Sequence, residues 1–184
     1  MQFPFFPLRF EFAAQDPLYF SPGKAGNTLR GALGTIFKRI ACVPECLDTR
    51  ACPTRESCIY ARVFEPVATA AIPGPSGLAD PPRPFVFRAR HLDGRTVQPG
   101  QLFHFDLHVF SLEPAVLAYF VRAFAALAHE GLGSGRSKAE LQRVLRIRLN
   151  GSAQPAADPV EPATLDLAPV VGAPRKIQIG RAHV

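Results

Sequence analysis

The chain has 184 residues, 47% hydrophobic and 20% charged, a balance that supports one globular domain with a full core and excludes a disordered chain. Its 15 phenylalanines and lack of tryptophan predict a phenylalanine core, and its 19 prolines concentrate in 64–84 and 155–174, which read as surface connections. A formal charge of +6 favours polyanionic partners. No apolar run reaches the length of a bilayer-spanning helix, and the start MQFPFFPLRF lacks the basic n-region and continuous apolar run of a signal peptide; the expectation is a cytoplasmic protein with no membrane partner.

From Pro7 to Phe12, Leu8, Phe10 and Phe12 alternate with Arg9 and Glu11, the period of a half-buried strand. A loop over Tyr19–Asn27 leads into a helix that Asn27 or Thr28 is placed to cap, with Leu29, Ala32, Leu33, Ile36, Phe37 and Ile40 at helical spacing. Cys42-x3-Cys46-x5-Cys52-x5-Cys58 then uses every cysteine of the chain. In a cytosolic setting four clustered thiols point to a metal more often than to two disulfides, and four thiolates complete a tetrahedral zinc shell with no place left for substrate water. The expectation is a structural zinc on Cys42, Cys46, Cys52 and Cys58, pinning an insert over 41–83 that has little core of its own. Disulfides, an iron–sulfur cluster and free thiols remain as alternatives, because the spacing departs from paired CxxC motifs.

Phe85, Phe87 and Ala89 alternate with Val86, Arg88 and Arg90 in a second strand, followed by a turn at 91–94. The third strand alternates Phe103, Phe105, Leu107 and Val109 with His104, Asp106 and His108. That polar trio shares one face, where it reads either as a metal or acid–base site or, more ordinarily, as the polar side of a half-buried strand. Arg88 and Arg90 are expected on the same face. Glu113 and Pro114 open a second helix running to about His129. Its Val116, Leu117, Tyr119, Phe120, Val121, Phe124 and Leu127 exceed one stripe, so it is expected to be buried on more than one side, with part of its cover missing. A fourth strand is expected over Leu141–Leu149, with the direction of Arg143 left open by the pattern.

Between the second helix and the fourth strand lies Gly131-Leu-Gly-Ser-Gly-Arg-Ser-Lys138. Three glycines in five residues allow positive φ and a close approach of main chain, and Arg136 and Lys138 add two cations, a combination suited to a polyanion. The loop follows a helix and precedes a strand, the reverse of phosphate loops in nucleotide-binding enzymes, and GxxxxGK[ST] is absent. The bland alternative is a helix C-cap at Gly131 and a turn. Residues 131–150 carry Arg136, Lys138, Arg143, Arg146 and Arg148 against Glu140, a local excess that favours nucleic acid. The order β-α-β-β-α-β predicts an α+β, ferredoxin-like (RRM-like) domain over 1–150, two helices on one face of a four-stranded antiparallel sheet.

Asn27-Thr-Leu-Arg-Gly-Ala-Leu33, Cys58-Ile-Tyr-Ala-Arg-Val-Phe-Glu-Pro66 and the glycine loop together resemble the RAMP superfamily of CRISPR-associated proteins. More narrowly, roughly residues 8–150 resemble the N-terminal half of a CRISPR precursor-RNA-processing endoribonuclease of the cysteine-bearing kind. The resemblance implies cleavage of CRISPR repeat RNA by the ribose 2′-hydroxyl, without a catalytic metal, to release guide RNA (crRNA). With the charge pattern, it makes Lys24, Arg30, Arg88, Arg90, Gly131, Gly133, Gly135, Arg136 and Lys138 the candidate RNA-binding residues. No catalytic residue is carried over: Thr35 stands where some members place a histidine, and Tyr19, Lys24 and Lys38 read either as assisting groups or as ordinary surface residues.

Such enzymes pair two ferredoxin-like domains. A Pro/Ala-rich linker over 151–178, leading to a missing second half, is therefore expected, and with it an inactive truncated chain. Ile179-Gly-Arg-Ala-His-Val184 matches the translation of a common sequencing adapter and is set aside. Two other functions fit the same residues: a non-catalytic RAMP subunit that binds guide RNA beside other CRISPR effector subunits, and a zinc-stabilised interaction domain.

Overall fold

The computed structural model of the chain describes residues 2–42, 46, 48, 49, 51–67, 81–110, 112–133, 135–156 and 162–166. Most of the proline-rich excursion (68–80) and the tail 167–184 with its adapter-like end lie outside the described residues. The rest is a mixed α+β fold on an antiparallel sheet.

Strand β1 (Gln2–Ala14) is the spine of that sheet. It pairs antiparallel with β5 (Leu102–Phe110) on one side and with β6 (Ala139–Ile147) on the other, and β3 (Phe85–Arg88) adds to β5. Strand β7 (Ala153–Pro155) extends β6, and β8 (Ala163–Asp166) pairs with the start of β1. The sheet therefore runs β3-β5-β1-β6-β7, with β8 beside β1. The short strands β2 (Leu18–Tyr19) and β4 (Thr96–Val97) pair separately. Six strands in the main sheet replace the four expected. The additional pair comes from the expected linker, where Ala153–Pro155 and Ala163–Asp166 find ladder partners that local pattern does not reveal.

Helices α1 (Ala25–Ala41), α2 (Ile59–Phe64) and α3 (Ala115–Glu130) cover one face of the sheet. The inner row of β1 is Leu8, Phe10, Phe12 and Ala14, all buried. Across the strands Phe10 stacks on Phe105 at 5.7 Å and Phe12 on Phe103 at 5.3 Å, while Phe124 of α3 tilts onto Phe10 at 4.6 Å. Phe37 of α1 meets Phe120 of α3 edge-on at 5.1 Å. The core is the phenylalanine interior the composition predicts, in the offset and edge-to-face geometries that aromatic rings prefer.

Helix α3 is indeed buried on two sides, by the sheet and by α1. Its exposed face consists of Ala115, Ala118, Arg122, Ala125 and His129, small or polar residues. Helix α1 starts at Ala25, two residues before the expected cap. Neither Asn27 nor Thr28 caps it; the Ala25 N–H donates to the Asp93 carboxylate at 2.9 Å, a cap supplied from 68 residues away. Helix α2 joins the insert to the main core, in which its Val63 and Phe64 are buried. Strand β6 begins at Ala139 rather than Leu141 and carries a bulge: Glu11 faces Arg143, but Phe12 faces Leu141. The extra residue puts Leu141 and Val144 on one face, three apart, and leaves Arg143 on the outer face beside Glu11.

Candidate functional site

The glycine loop closes on itself. Leu132 and Ser137 exchange both main-chain hydrogen bonds, at 2.8 and 3.0 Å. Gly131 ends α3 with φ +120°, and a β-carbon there would lie 2.3 Å from the Arg136 carbonyl oxygen, so only glycine fits. Gly133 has φ +72° and faces Leu18, Thr28 and the Tyr19 carbonyl. Gly135 needs no special freedom; the left-handed position that follows is taken by Arg136 itself, at φ +49°. Ser137 Oγ donates to the Pro17 carbonyl at 2.7 Å, the Lys138 N–H donates to Asp16 at 2.9 Å, and the Lys138 carbonyl accepts from Gln15 and Asp16. These bonds fix the loop to the turn after β1 and leave the Arg136 and Lys138 side chains exposed.

Beside the loop runs a cleft of about 880 Å³ along α1. Leu29, Leu33 and Phe37 turn one side of α1 into the core, so Asn27, Arg30, Gly31, Gly34 and Lys38 line the cleft from the other. The facing wall is Tyr60 and Phe64, stacked at 5.3 Å, with Arg83. Lys38 Nζ stands 5.7 Å from the Tyr60 ring centre, and Arg83 lies 5.6 Å over Phe64 while its Nε donates to the Phe64 carbonyl. Burial pushes the Tyr60 phenol up, so its hydroxyl stays a donor. Arg39 on the rim pairs with Glu130 at the end of α3. That hydrogen bond holds the Glu130 carboxyl below the usual carboxylate range, with the charges of Arg39, Arg136 and His129 adding to it. Glu130 therefore links the rim of the cleft to the first cation of the loop.

Cys42 caps the end of α1 and lines the cleft with Cys46; Cys58 precedes α2. All four cysteines are half-buried and none is in a disulfide. The Cys42 thiol is pushed up to about 12, by burial first and then by neighbouring Cys58 and Cys46. Cys46 in turn interacts with Cys52, whose thiol is lowered by its hydrogen bond to the Thr54 hydroxyl at 3.3 Å. Among the described residues no three histidine, cysteine or acidic side chains are arranged to hold a metal ion.

Arg88 and Arg90 lie elsewhere. They line a cleft of about 420 Å³ on the outer face of the sheet with Arg9, His104 and Asp106. Asp106 does not converge with His104 and His108 on a site: it accepts from Arg9 Nε at 2.7 Å and from a second guanidinium nitrogen at 3.2 Å. His104 stacks on His91 at 4.6 Å, and His108 tilts against Phe5 at 5.4 Å. Burial lowers the pKa of both histidines, as expected for the polar side of a half-buried strand. The nine candidate RNA-binding residues thus divide: Lys24, immediately before α1, Arg30 and the loop residues gather along the α1 edge, while Arg88 and Arg90 sit on the outer face. Arg39 and Arg83 were not anticipated. The signal that finds the cleft is the polar stripe Asn27, Arg30, Gly34 and Lys38, spaced three or four apart along α1.

The family model AF_1859_N, described as an N-terminal domain, matches residues 3–164. This chain belongs to that family. The AF_1859_N match runs from β1 through the first residues of β8, so β7 and the start of β8 fall inside the family unit. Among solved structures, a chain in the "Crystal structure of Csm3-Csm4 subcomplex in the type III-A CRISPR-Cas interference complex" is similar at 14% identity, over 79% of this chain and 81% of that one, with a TM-score of 0.46. No curated protein matches. No helix among the described residues is long and apolar enough to cross a membrane.

Proposed function

We propose that this chain binds single-stranded RNA along a track from the glycine loop to the α1 cleft, as the N-terminal part of a CRISPR-associated RNA-processing protein. The observation that carries this reading is the fixed loop: a main chain that only glycine permits at Gly131, pinned to Asp16 and Pro17, with the Arg136 and Lys138 side chains exposed where they could meet phosphates. The strand order β3-β5-β1-β6, with α1 and α3 on one face, supports reading the body as a ferredoxin-like unit of the kind RNA-recognition domains use. The family description as an N-terminal domain is in keeping with a second half in the whole protein.

On this reading the whole protein cleaves CRISPR repeat RNA. A 2′-oxygen loses its proton and attacks the adjacent phosphorus, the bond from phosphorus to the 5′-oxygen breaks, and that oxygen takes up a proton. The products are a 2′,3′-cyclic phosphate and a 5′-hydroxyl. The cations would offset charge developing on phosphorus, and the fixed loop would align the strand. One observation favours a second reading, a passive guide-RNA binder: among the described residues lining the α1 cleft there is no histidine or carboxylate to move protons near neutral pH. Incubating the protein with repeat RNA in EDTA separates the two. Cyclic-phosphate products support the nuclease, retention of intact RNA supports the binder, and failure to bind RNA at all rejects both.

The four cysteines are proposed to hold a structural zinc. The pairwise approach of Cys42 to Cys46 and Cys58, and of Cys46 to Cys52, puts the thiols in one neighbourhood, from which zinc binding would have to draw them into a tetrahedral shell; thiolate is the donor zinc prefers. Elemental analysis is expected to give about one zinc per chain; iron, or no metal, overturns that assignment.

A further inference from the structure

We propose that the α1 cleft is a pocket for one unstacked nucleobase of the bound strand, with Tyr60 as its stacking platform. The inference rests on the RNA reading above and assigns this cleft a separate task from the loop. One face of the Tyr60 ring is packed by Phe64, nearly parallel at 15°, and the Lys38 ammonium stands over the ring at 5.7 Å. A base laid on that ring continues a stack already two rings deep and releases Lys38 toward the phosphate of the same nucleotide. Arg30 and Arg83 also border the space, and among the described residues no carboxylate lines it. A planar, anionic ligand matches such walls; an apolar or cationic one does not.

The opposite wall is kept low by glycine. At Gly31 a β-carbon would meet nothing within 4 Å, so the position faces open space and the fold does not need glycine there. Glycine in mid-helix weakens a helix. Its use at a position where a β-carbon would meet nothing is in keeping with a cleft kept open for a guest. A volume of about 880 Å³ accommodates a nucleotide with room for its flanking backbone.

The test measures affinity of the protein for a single-stranded RNA oligonucleotide carrying 2-aminopurine, whose fluorescence falls when the base stacks. Tyr60→Ala is expected to weaken binding by roughly 5- to 150-fold, the range of one lost base stack, and to abolish the quenching of one label position. Tyr60→Phe, which keeps the ring, should lose far less. Because Tyr60→Ala also removes packing against Phe64, Gly31→Leu is the second variant: it intrudes on the cleft from a position where a β-carbon meets nothing, and it should match the loss while leaving the protein folded. If Gly31→Leu and Tyr60→Ala bind and quench as the parent does, while Arg136→Ala weakens binding, the cleft is not a base pocket and the RNA reading stands. If the parent binds no RNA, both fall. Adenosine monophosphate binding as tightly as the strand would make the cleft a free-nucleotide site and overturn the proposal.

Discussion

On the outer face of the sheet, Arg9 grips Asp106 through two hydrogen bonds and Arg143 reaches Glu11 at 2.7 Å, whereas along α1 the cations Arg30 and Lys38 border a cleft that no described carboxylate lines. The residue types are the same on both sides; their partners differ. An arginine opposite a carboxylate in register stabilises the sheet and has little charge left to offer a ligand. An arginine on a helix edge, with asparagine and glycine for neighbours, keeps its field directed at solvent. Total charge therefore says little about where this protein would meet a polyanion, and the allocation of carboxylates says more.

The contrast can be broken in three ways. The largest effect is expected on the structural side. Arg9→Ala strands Asp106, whose side chain is only 12% exposed, and should cost about 2 kcal/mol in urea unfolding while RNA affinity changes little. A large loss of RNA affinity with unchanged stability would reverse the roles assigned to the two faces. On the ligand side, Arg136→Ala and Lys138→Ala should leave stability within about 0.5 kcal/mol. Each should lower the salt slope of binding to single-stranded RNA by about 0.7; unchanged slopes in both remove the loop from the interface.

The smallest effect is on pH. Burial lowers the pKa of His104 and His108 in the folded state, so as pH falls below about 6.5 the unfolded chain takes up protons first. Stability contributed by the neutral imidazoles is present above that pH and declines on acidification until the folded-state values are reached. Urea midpoints at pH 7.5 and 5.5 should show the decline, and His108→Phe should reduce it.

Much of this architecture was legible because half-buried strands and amphipathic helices carry their period in sequence: β1, β3, β5 and α3 begin and end within a few residues of expectation, β1 excepted for its added first residues. The misses have separate physical causes. The start of α1 depends on Asp93, a cap that no local window contains. The bulge opposite Glu11 and Phe12 broke the alternation of β6 and hid the direction of Arg143. Strands β2, β4, β7 and β8 are two to four residues long and owe their existence to partners rather than to propensity. The loop was visible as glycine spacing, although it is Arg136, not Gly135, that adopts the left-handed turn. The cleft was harder to see because its two walls come from α1 and from Tyr60, Phe64 and Arg83, brought together only by the shared core.

The pairing of β8 with β1 bears on how the domain can be divided. Among the described residues, Gln2, Phe3 and Pro4 find their ladder partners only in Asp166, Leu165 and Thr164, since β1 pairs with β5 only from Phe5 onward and with β6 only from Leu8. Trimming the protein at 150, where the sequence pattern suggests a boundary, would strip the neighbours from the opening residues of its longest strand. An open, phenylalanine-bearing border of that sort is an invitation to stick to another copy, so expression fragments are better ended beyond Asp166.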